Sequence, residues 1–454
     1  LPFKSIAVLT FNAVGSNHYQ HIGLGLADVL ITRLSNIREL KVRPTSAVMA
    51  FDGQVQDSIS AGQKLNVDAV LEGTIYHANG RVRVTARLLR VGDQMPLWAG
   101  QFEKPLQDEL KVQDEIALQL VDALSLSLSG TEKSALTKPL TENVDAYQLY
   151  QRGRYHWNKR SYEGMIEAQH LFRNAIEKDP HFTLALVGLA DTLATGDARG
   201  EAYGAVQRAL ELDPNLAEAH ATLGFIKMFH EWSWREAETA YQKSIELNPG
   251  YATAYHWYAT LLVIEGRNKE AKAAMRRALE INPTSHNFLA DMGQLHYFGR
   301  EYEEAKEYCR RALEVYPEFA FAHQYLFYAY LKTGEHDKAI EEIITAERLN
   351  SSHAVQSAEQ EHQSEISFDK QREAFREAGI NGFIRHRLPA ETQDVNRYYI
   401  NAMLHSYLGE KEKALNNLER ACQGRAFLAA FVKADPVFDS LRGEPRYQAI
   451  LKKM

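Results

Sequence analysis

Chemistry by this chain would have to come from its 17 histidines, its two cysteines, Cys309 and Cys422, or its 59 acidic side chains, so their spacing decides. The sequence contains no GxxxxGK[ST] loop to cradle phosphates, no HExxH helix to hold zinc and no GxSxG turn to present a nucleophile. GLGLAD at residues 23–28 has a GxG spacing, but it lies inside a helical pattern and lacks the third glycine. The histidines follow a longer rhythm instead, since His220 and His323 each stand six residues after a proline. The two cysteines are far apart and define neither a disulfide framework nor a metal motif. The reading is of a non-enzyme, without cofactor and without metal.

The rhythm belongs to a phrase that returns five times: AIEKDP ending at Pro180, ALELDP at Pro214, SIELNP at Pro249, ALEINP at Pro283 and ALEVYP at Pro317. The gaps are 34, 35, 34 and 34 residues. A helical pattern closed by proline at a fixed period predicts stacked helix-turn-helix units. Ten residues after each proline stand Ala190, Gly224, Ala259, Gly293 and Phe327, mostly small enough for two helices to approach closely. Further on come Ala202, Ala237, Ala271, Ala305 and Ala339, then Ala209, Ser244, Ala278, Ala312 and Ala346, once the extra residue in HEWSWREA is allowed for. In period and slots this resembles the tetratricopeptide repeat.

That resemblance implies a concave face lined by the first helix of each pair, at positions four, seven, eleven and fourteen after each proline. The groove it assigns includes Phe225, His256, Thr260, Asn287, Gln294, Tyr297, Phe321, Gln324 and Tyr328. Amides can satisfy an extended peptide's backbone, and aromatic rings give contact area at little entropic cost. The expected partner is a peptide or protein, against a competing reading in which Phe225, Tyr297 and Tyr328 pack on neighbouring helices. No lysine or arginine appears among the inward positions counted from Pro214 onward, which argues against a clamp for a C-terminal carboxylate.

Ahead of the repeats the pattern changes to that of a small α/β domain. SIAVLTF reads as a buried strand, HIGLGLADVLITRLSNI as an amphipathic helix, ELKVRP as a second strand and VDAVLEGTIYH as a third. A short helix is expected from Asp57 to Asn66, between the second and third strands. Asn79-Gly80 predicts a hairpin into RVRVTARLL, where Val82, Val84, Ala86 and Leu88 face one way and Arg81, Arg83 and Arg87 the other. MPLWAGQF completes a meander, and DELKVQDEIALQLVDALSLSL should pack back on it through Leu110, Ile116, Leu120 and Leu124.

In this order the segments resemble the amino-terminal domain of TolB and its FlgO-like relatives. Thr10 departs from the family, which usually has proline there. With tetratricopeptide repeats following, the resemblance extends to the sensing part of CadC-type winged-helix transcriptional regulators; a class III nucleotide cyclase or a Ser/Thr kinase is the alternative output. It implies a sensing region in the periplasm, tethered through a membrane segment upstream, or a cytoplasmic control arm if the output is an enzyme. A start at Leu1 without methionine suggests a piece of something longer.

The fold class is therefore α+β: a TolB-like α/β domain over 1–130, a linker over 131–142, six repeats over 143–351, an irregular helical segment over 352–392, and a final helix pair with capping helix over 393–454. A homodimer is a further expectation. The formal net charge of −7 argues against direct nucleic-acid binding by this region. No apolar run reaches the length that spans a bilayer.

Overall fold

A computed structural model of the chain describes residues 3–14, 20–35, 37, 39–51, 57–78, 80–105, 109–124, 140–158, 162–194, 198–352, 358–388 and 394–454. Asn79, the Leu110 side chain and positions 131–139 of the expected linker lie outside what is described. The chain divides into two compact units. The first comprises Leu1–Ile226, Arg235–Trp257 and Arg277–Thr284, and the second Lys227–Trp234, Tyr258–Arg276 and Ser285–Met454.

In the first unit a mixed sheet is built from β1 (Ser5–Val8), β2 (Asn12–Val14), β3 (Lys41–Val42), β4 (Ala69–Ala78), β5 (Arg81–Arg90) and β6 (Pro96–Pro105). Its order is β3-β1-β4-β5-β6, with β2 also beside β4. β1 runs parallel to β3 and β4, and β4, β5 and β6 form an antiparallel meander. Gly80, at the turn of the first hairpin, takes a φ of +71°, where a side chain would cost strain.

Alternation in β5 decides the two faces. Val82, Val84, Ala86 and Leu88 are buried under α1 (Gln20–Leu34) and α4 (Glu109–Ala123), together with Leu26, Leu30, Ile116 and Leu120. On the opposite face Arg81 and Arg83 pair with Glu103, and Arg87 pairs with Glu72. These exposed pairs neutralise most of the basic stripe and contribute little to stability.

The repeat helices come in pairs: Val144–Asn158 with Tyr162–Lys178, Thr183–Ala194 with Arg199–Leu212, Ala217–Ile226 with Trp234–Leu247, Ala252–Ile264 with Asn268–Ile281, His286–Phe298 with Tyr302–Val315, and Ala320–Thr333 with His336–Ser352. The recurring Asp-Pro and Asn-Pro have a local cause. Asp179, Asp213 and Asn248 each accept a hydrogen bond from the backbone N–H two residues on, at 2.9, 3.1 and 2.9 Å. Such turns end one helix and aim the next. The extra residue of the third repeat is absorbed in a π-turn over Lys227–Glu231, followed by Trp232 at a φ of +56°.

The small-residue slots are fully enclosed: Ala190, Ala202, Ala209, Ala237, Ser244, Ala259, Ala271, Ala278, Ala305, Ala312 and Ala339 all show 0% exposure, so none has room to grow. A Cβ built on Gly224 would stand 2.6 Å from a ring carbon of Tyr241. Gly224→Ala is therefore expected to destabilise by about 1–3 kcal/mol. Gly204, helical but facing open space, should instead gain about 0.5–1 kcal/mol on the same change. Thermal melts of the two variants moving in the same direction would contradict this packing.

The α/β domain packs directly on the repeats of its own unit. A Cβ on Gly25 of α1 would fall 2.3 Å from the side chain of Gln151, which is buried. Arg43, at the end of β3, donates to the carbonyls of Leu65 and Asn66 at 2.8 Å each, and also to those of Glu280 and Ile281. Asn282 donates to Ser46 at 2.9 Å. A cation thus closes the carboxy-terminal end of a repeat helix, where the helix dipole favours it.

In the second unit the segment 358–386 is helical but breaks at Ala378 and Gly379. Val395–Tyr407 pairs with Lys411–Gln423. Short 3-10 turns over Phe427–Phe431 and Pro436–Leu441 and the helix Pro445–Lys453, with its buried Tyr447, then cover their apolar faces, including Met403 and Leu418.

Candidate functional site

In the first unit the inner positions form a ladder. The small residue of the first pair is Gly153, set against Phe172 as Gly224 is set against Tyr241. One residue beyond the small slot come Arg154, Asp191 and Phe225 in three successive repeats. Glu218 and Thr222 lie on the third repeat's first helix, and Tyr251 precedes that of the fourth. Counted from Pro214 onward, the inward positions include neither Arg154 nor Asp191. Counting from Gly153 and Pro180 gives both by register.

These side chains share one electrostatic environment. Asp191 is buried and accepts from the Thr222 hydroxyl at 2.6 Å, while Asp28 of α1, also buried, accepts from Thr45. Arg154 keeps partial exposure, but its Nε is sealed from solvent and has no hydrogen-bond partner. Burial works against its charge, yet the field of Tyr150, Asp28, Tyr251 and Asp191 outweighs that and raises its pKa. Burial lifts the Glu218 carboxyl above its usual range; its own backbone N–H and Arg154 offset this in part, while Asp191 and Asp213 add to it. Burial likewise raises the Tyr251 and Tyr150 hydroxyls.

Arg154, Glu218 and Tyr251 are each partly exposed. Of the groove residues expected in this unit, Phe225 packs on Trp257 with ring centroids 5.0 Å apart, and His256 is half-buried.

The remaining groove residues belong to the second unit. Thr260 and Asn287 are half-buried. Gln294 is buried and donates to the Tyr325 hydroxyl, and the Phe321 ring packs tilted against that of Tyr325, centroids 4.8 Å apart. Gln324 donates to the Tyr328 hydroxyl at 3.1 Å. Burial pushes that hydroxyl up to about 12. Tyr297 is 1% exposed, and its hydroxyl is directed at Asp435 at 3.4 Å.

The chain itself covers this part. Asp435 also accepts from Tyr399 at 2.8 Å and caps the turn Pro436–Leu441 through the N–H of Val437. Arg300 binds Asp439 and the carbonyl of Ala434, Phe431 stacks on Phe298 at 5.4 Å, and Phe427 stacks on Phe229 at 4.0 Å. Tyr297 is therefore packed against the chain's own segment rather than open to a ligand, as the packing alternative expects. Of this polar set, counting from Pro214 gives Glu218 and misses Arg154 and Asp191.

Comparison with known proteins gives a domain of one family followed by repeats of another. Residues 3–152 match the family model described as HilA/YgeH-like transcriptional regulator, second domain, and residues 240–273 and 290–353 match two tetratricopeptide repeat models. A relative described as putative adenylate cyclase 3 of Rhizobium meliloti (strain 1021) is 30% identical over 235 residues, 49% of this chain and 40% of its own length. The chain thus spans less than half of that relative.

Solved structures with similarity include YrrB, titled as a TPR protein with an unusual peptide-binding site (22% identity, 40% of this chain and 94% of that one, TM-score 0.29). MamA of Desulfovibrio magneticus RS-1 matches with 17% identity over 40% of this chain and 96% of that one, TM-score 0.31. The Cut9-Hcn1 assembly matches with 18% identity over 76% of this chain and 59% of that one, TM-score 0.47. The matched repeats are tetratricopeptide repeats, and the domain before them is similar to the second domain of a transcriptional regulator, under another family's description than TolB.

Proposed function

From a HilA/YgeH-like second domain followed by tetratricopeptide repeats, we propose that this chain is the partner-binding, non-catalytic arm of a bacterial membrane-tethered transcriptional regulator of the CadC-like kind. Its inner repeat face takes a peptide segment of a protein partner. The observation that carries the reading is the line of Arg154, Asp191 and Glu218 on the first helices of three consecutive repeats, with a regulator-like domain ahead of them. Tetratricopeptide repeats bind proteins and peptides through surfaces of this sort, and aromatic Phe225 and Trp257 supply apolar area next to the charges. In this reading the region works outside the cytoplasm, so alkaline phosphatase fused after Met454 of the tethered protein would be active; an inactive fusion would place it in the cytoplasm.

The test is retention of the purified chain on an array of extended peptides, repeated with Phe225→Ala. Loss of at least about tenfold in affinity is expected, since a packed aromatic at a contact centre commonly carries that much. An array that retains nothing, or a variant that binds unchanged, would remove the inner face as the site. The second reading, a control arm on an adenylate cyclase, rests on the 30% identity to the Rhizobium protein. Cyclic AMP made by the complete gene product would favour it over the transcriptional one.

A further inference from the structure

The segment that covers the inner face of the second unit has a spacing of its own. Phe427, Phe431, Asp435 and Asp439 stand four residues apart, and each of them meets the repeats. Phe427 stacks on Phe229 and Phe431 on Phe298, Asp435 accepts from Tyr297, and Asp439 takes the Arg300 guanidinium in two bonds of 3.1 and 2.5 Å. The residues between them, among them Val432, Val437, Phe438 and Leu441, belong instead to a core shared with Tyr399, Leu418 and Tyr447. The segment therefore has two sides. One is built into the closing helices, and the other lies on the repeats as a ligand does.

The further contacts with the repeats are of a kind that any peptide backbone offers. Arg300 and Lys332 donate to the carbonyls of Ala434 and Pro436, at 3.1 and 3.0 Å. The leading end of the segment is its least secure part. Phe427 is 43% exposed while Phe229 beneath it is 4% exposed, so the cover is more open than what it covers. Arg425, whose guanidinium donates to the carbonyl of Glu231 at 3.2 Å, is held at a φ of +50°, a left-handed conformation that is costly for a residue other than glycine.

We propose that the inner face of the second unit is a binding surface for a partner protein's segment of the same chemistry, two aromatic rings followed by two carboxylates at four-residue spacing, and that residues 425–439 are its built-in competitor. Leaving Phe229 and Phe298 open to water is costly, so partner and cover exchange on the face, beginning at Phe427. Only molecules with the cover lifted bind, and the apparent affinity is lowered by their fraction. This site lies within the second unit and does not depend on peptide binding by the first.

The experiment uses the full chain and a fluorescein-labelled peptide of residues 424–442, read by anisotropy. Asp439→Ala and Phe427→Ala each weaken the cover and leave the repeats intact, so each should bind the peptide about threefold to tenfold more tightly than the parent. Arg300→Glu loosens the same contact from the repeat side. It should gain nothing for this peptide, yet bind a peptide carrying Asp439→Arg more tightly than the parent does. A purely structural cover produces no such crossing. Unchanged binding by both Asp439→Ala and Phe427→Ala, or an equal gain by Arg300→Glu, overturns the assignment. So does a parent that is dimeric in light scattering and that the peptide splits into monomers, which would put a second copy's segment on this face.

Discussion

Replacing Arg43 by alanine is expected to destabilise the first unit by about 3–5 kcal/mol and to separate the melting of the α/β domain from that of the repeats. The guanidinium serves four carbonyls, those of Leu65, Asn66, Glu280 and Ile281. Burial presses its pKa down and the charge of Asp68 opposes this, while the guanidinium stays protonated as arginines do. Alanine leaves the carbonyls without a donor. Lysine restores the charge but not the planar fork, so Arg43→Lys should recover only part of the loss. Calorimetry of the variant should show two transitions where the parent shows one. A single, unshifted transition would mean that the domain is held to the repeats by other contacts alone.

Asp435→Ala should cost about 3 kcal/mol or more in the second unit, read as a lowered denaturation midpoint. Three groups lose their acceptor at once: the hydroxyls of Tyr399 and Tyr297 and the N–H of Val437. The hydroxyls are sealed and cannot turn to water instead. The pH dependence has a definite sign. Burial raises the Asp435 carboxyl above its usual range, against its bonds to Val437, Tyr399 and Tyr297 and the pull of Lys332. A raised carboxyl favours the fold most when protonated. Its contribution is complete below the unfolded value of about 3.9 and declines as pH rises through the folded value. The gap between parent and variant should therefore be wider at about pH 4 than at pH 7. A gap that widens toward neutral pH would show that Asp435 acts mainly as a charge.

The repeats were legible because their signals are local and recur. Pro180, Pro214, Pro249, Pro283 and Pro317 stop helices by their own geometry, and the alanines that follow mark where helices touch. β5 was legible for the same reason, since Val82 to Leu88 alternate without interruption. Arg154 was passed over because no repeat-closing proline precedes its helix in register, Pro139 lying too far ahead of Gly153. Asp191 sits in a period whose inner face had been left out of the count. Tyr297 matched an inward register position, but position cannot reveal that the turn at Asp435, 138 residues later, packs over it. That turn belongs to 3-10 pieces, which carry no helical or strand period. Arg43 gave no signal either, since one arginine after a short strand does not announce a helix end more than 230 residues further along.

The turn held by Asp435 also bears on how the protein is made. In an ordinary repeat array each unit needs only its neighbours, so folding can follow the ribosome and a shortened array can still fold. Here Arg300 bonds to Asp439, 139 residues away, Glu265 receives Lys433 across 168 residues, and Glu231 receives Arg425 across 194. None of these contacts can close before residue 425 has left the exit tunnel. The helices from Tyr258 onward must wait, with Phe229 and Phe298 uncovered, for a segment translated last among their partners. Nascent chains stalled before residue 425 should accordingly be open to proteolysis in this half, and truncation there should act as a folding defect instead of the loss of one repeat.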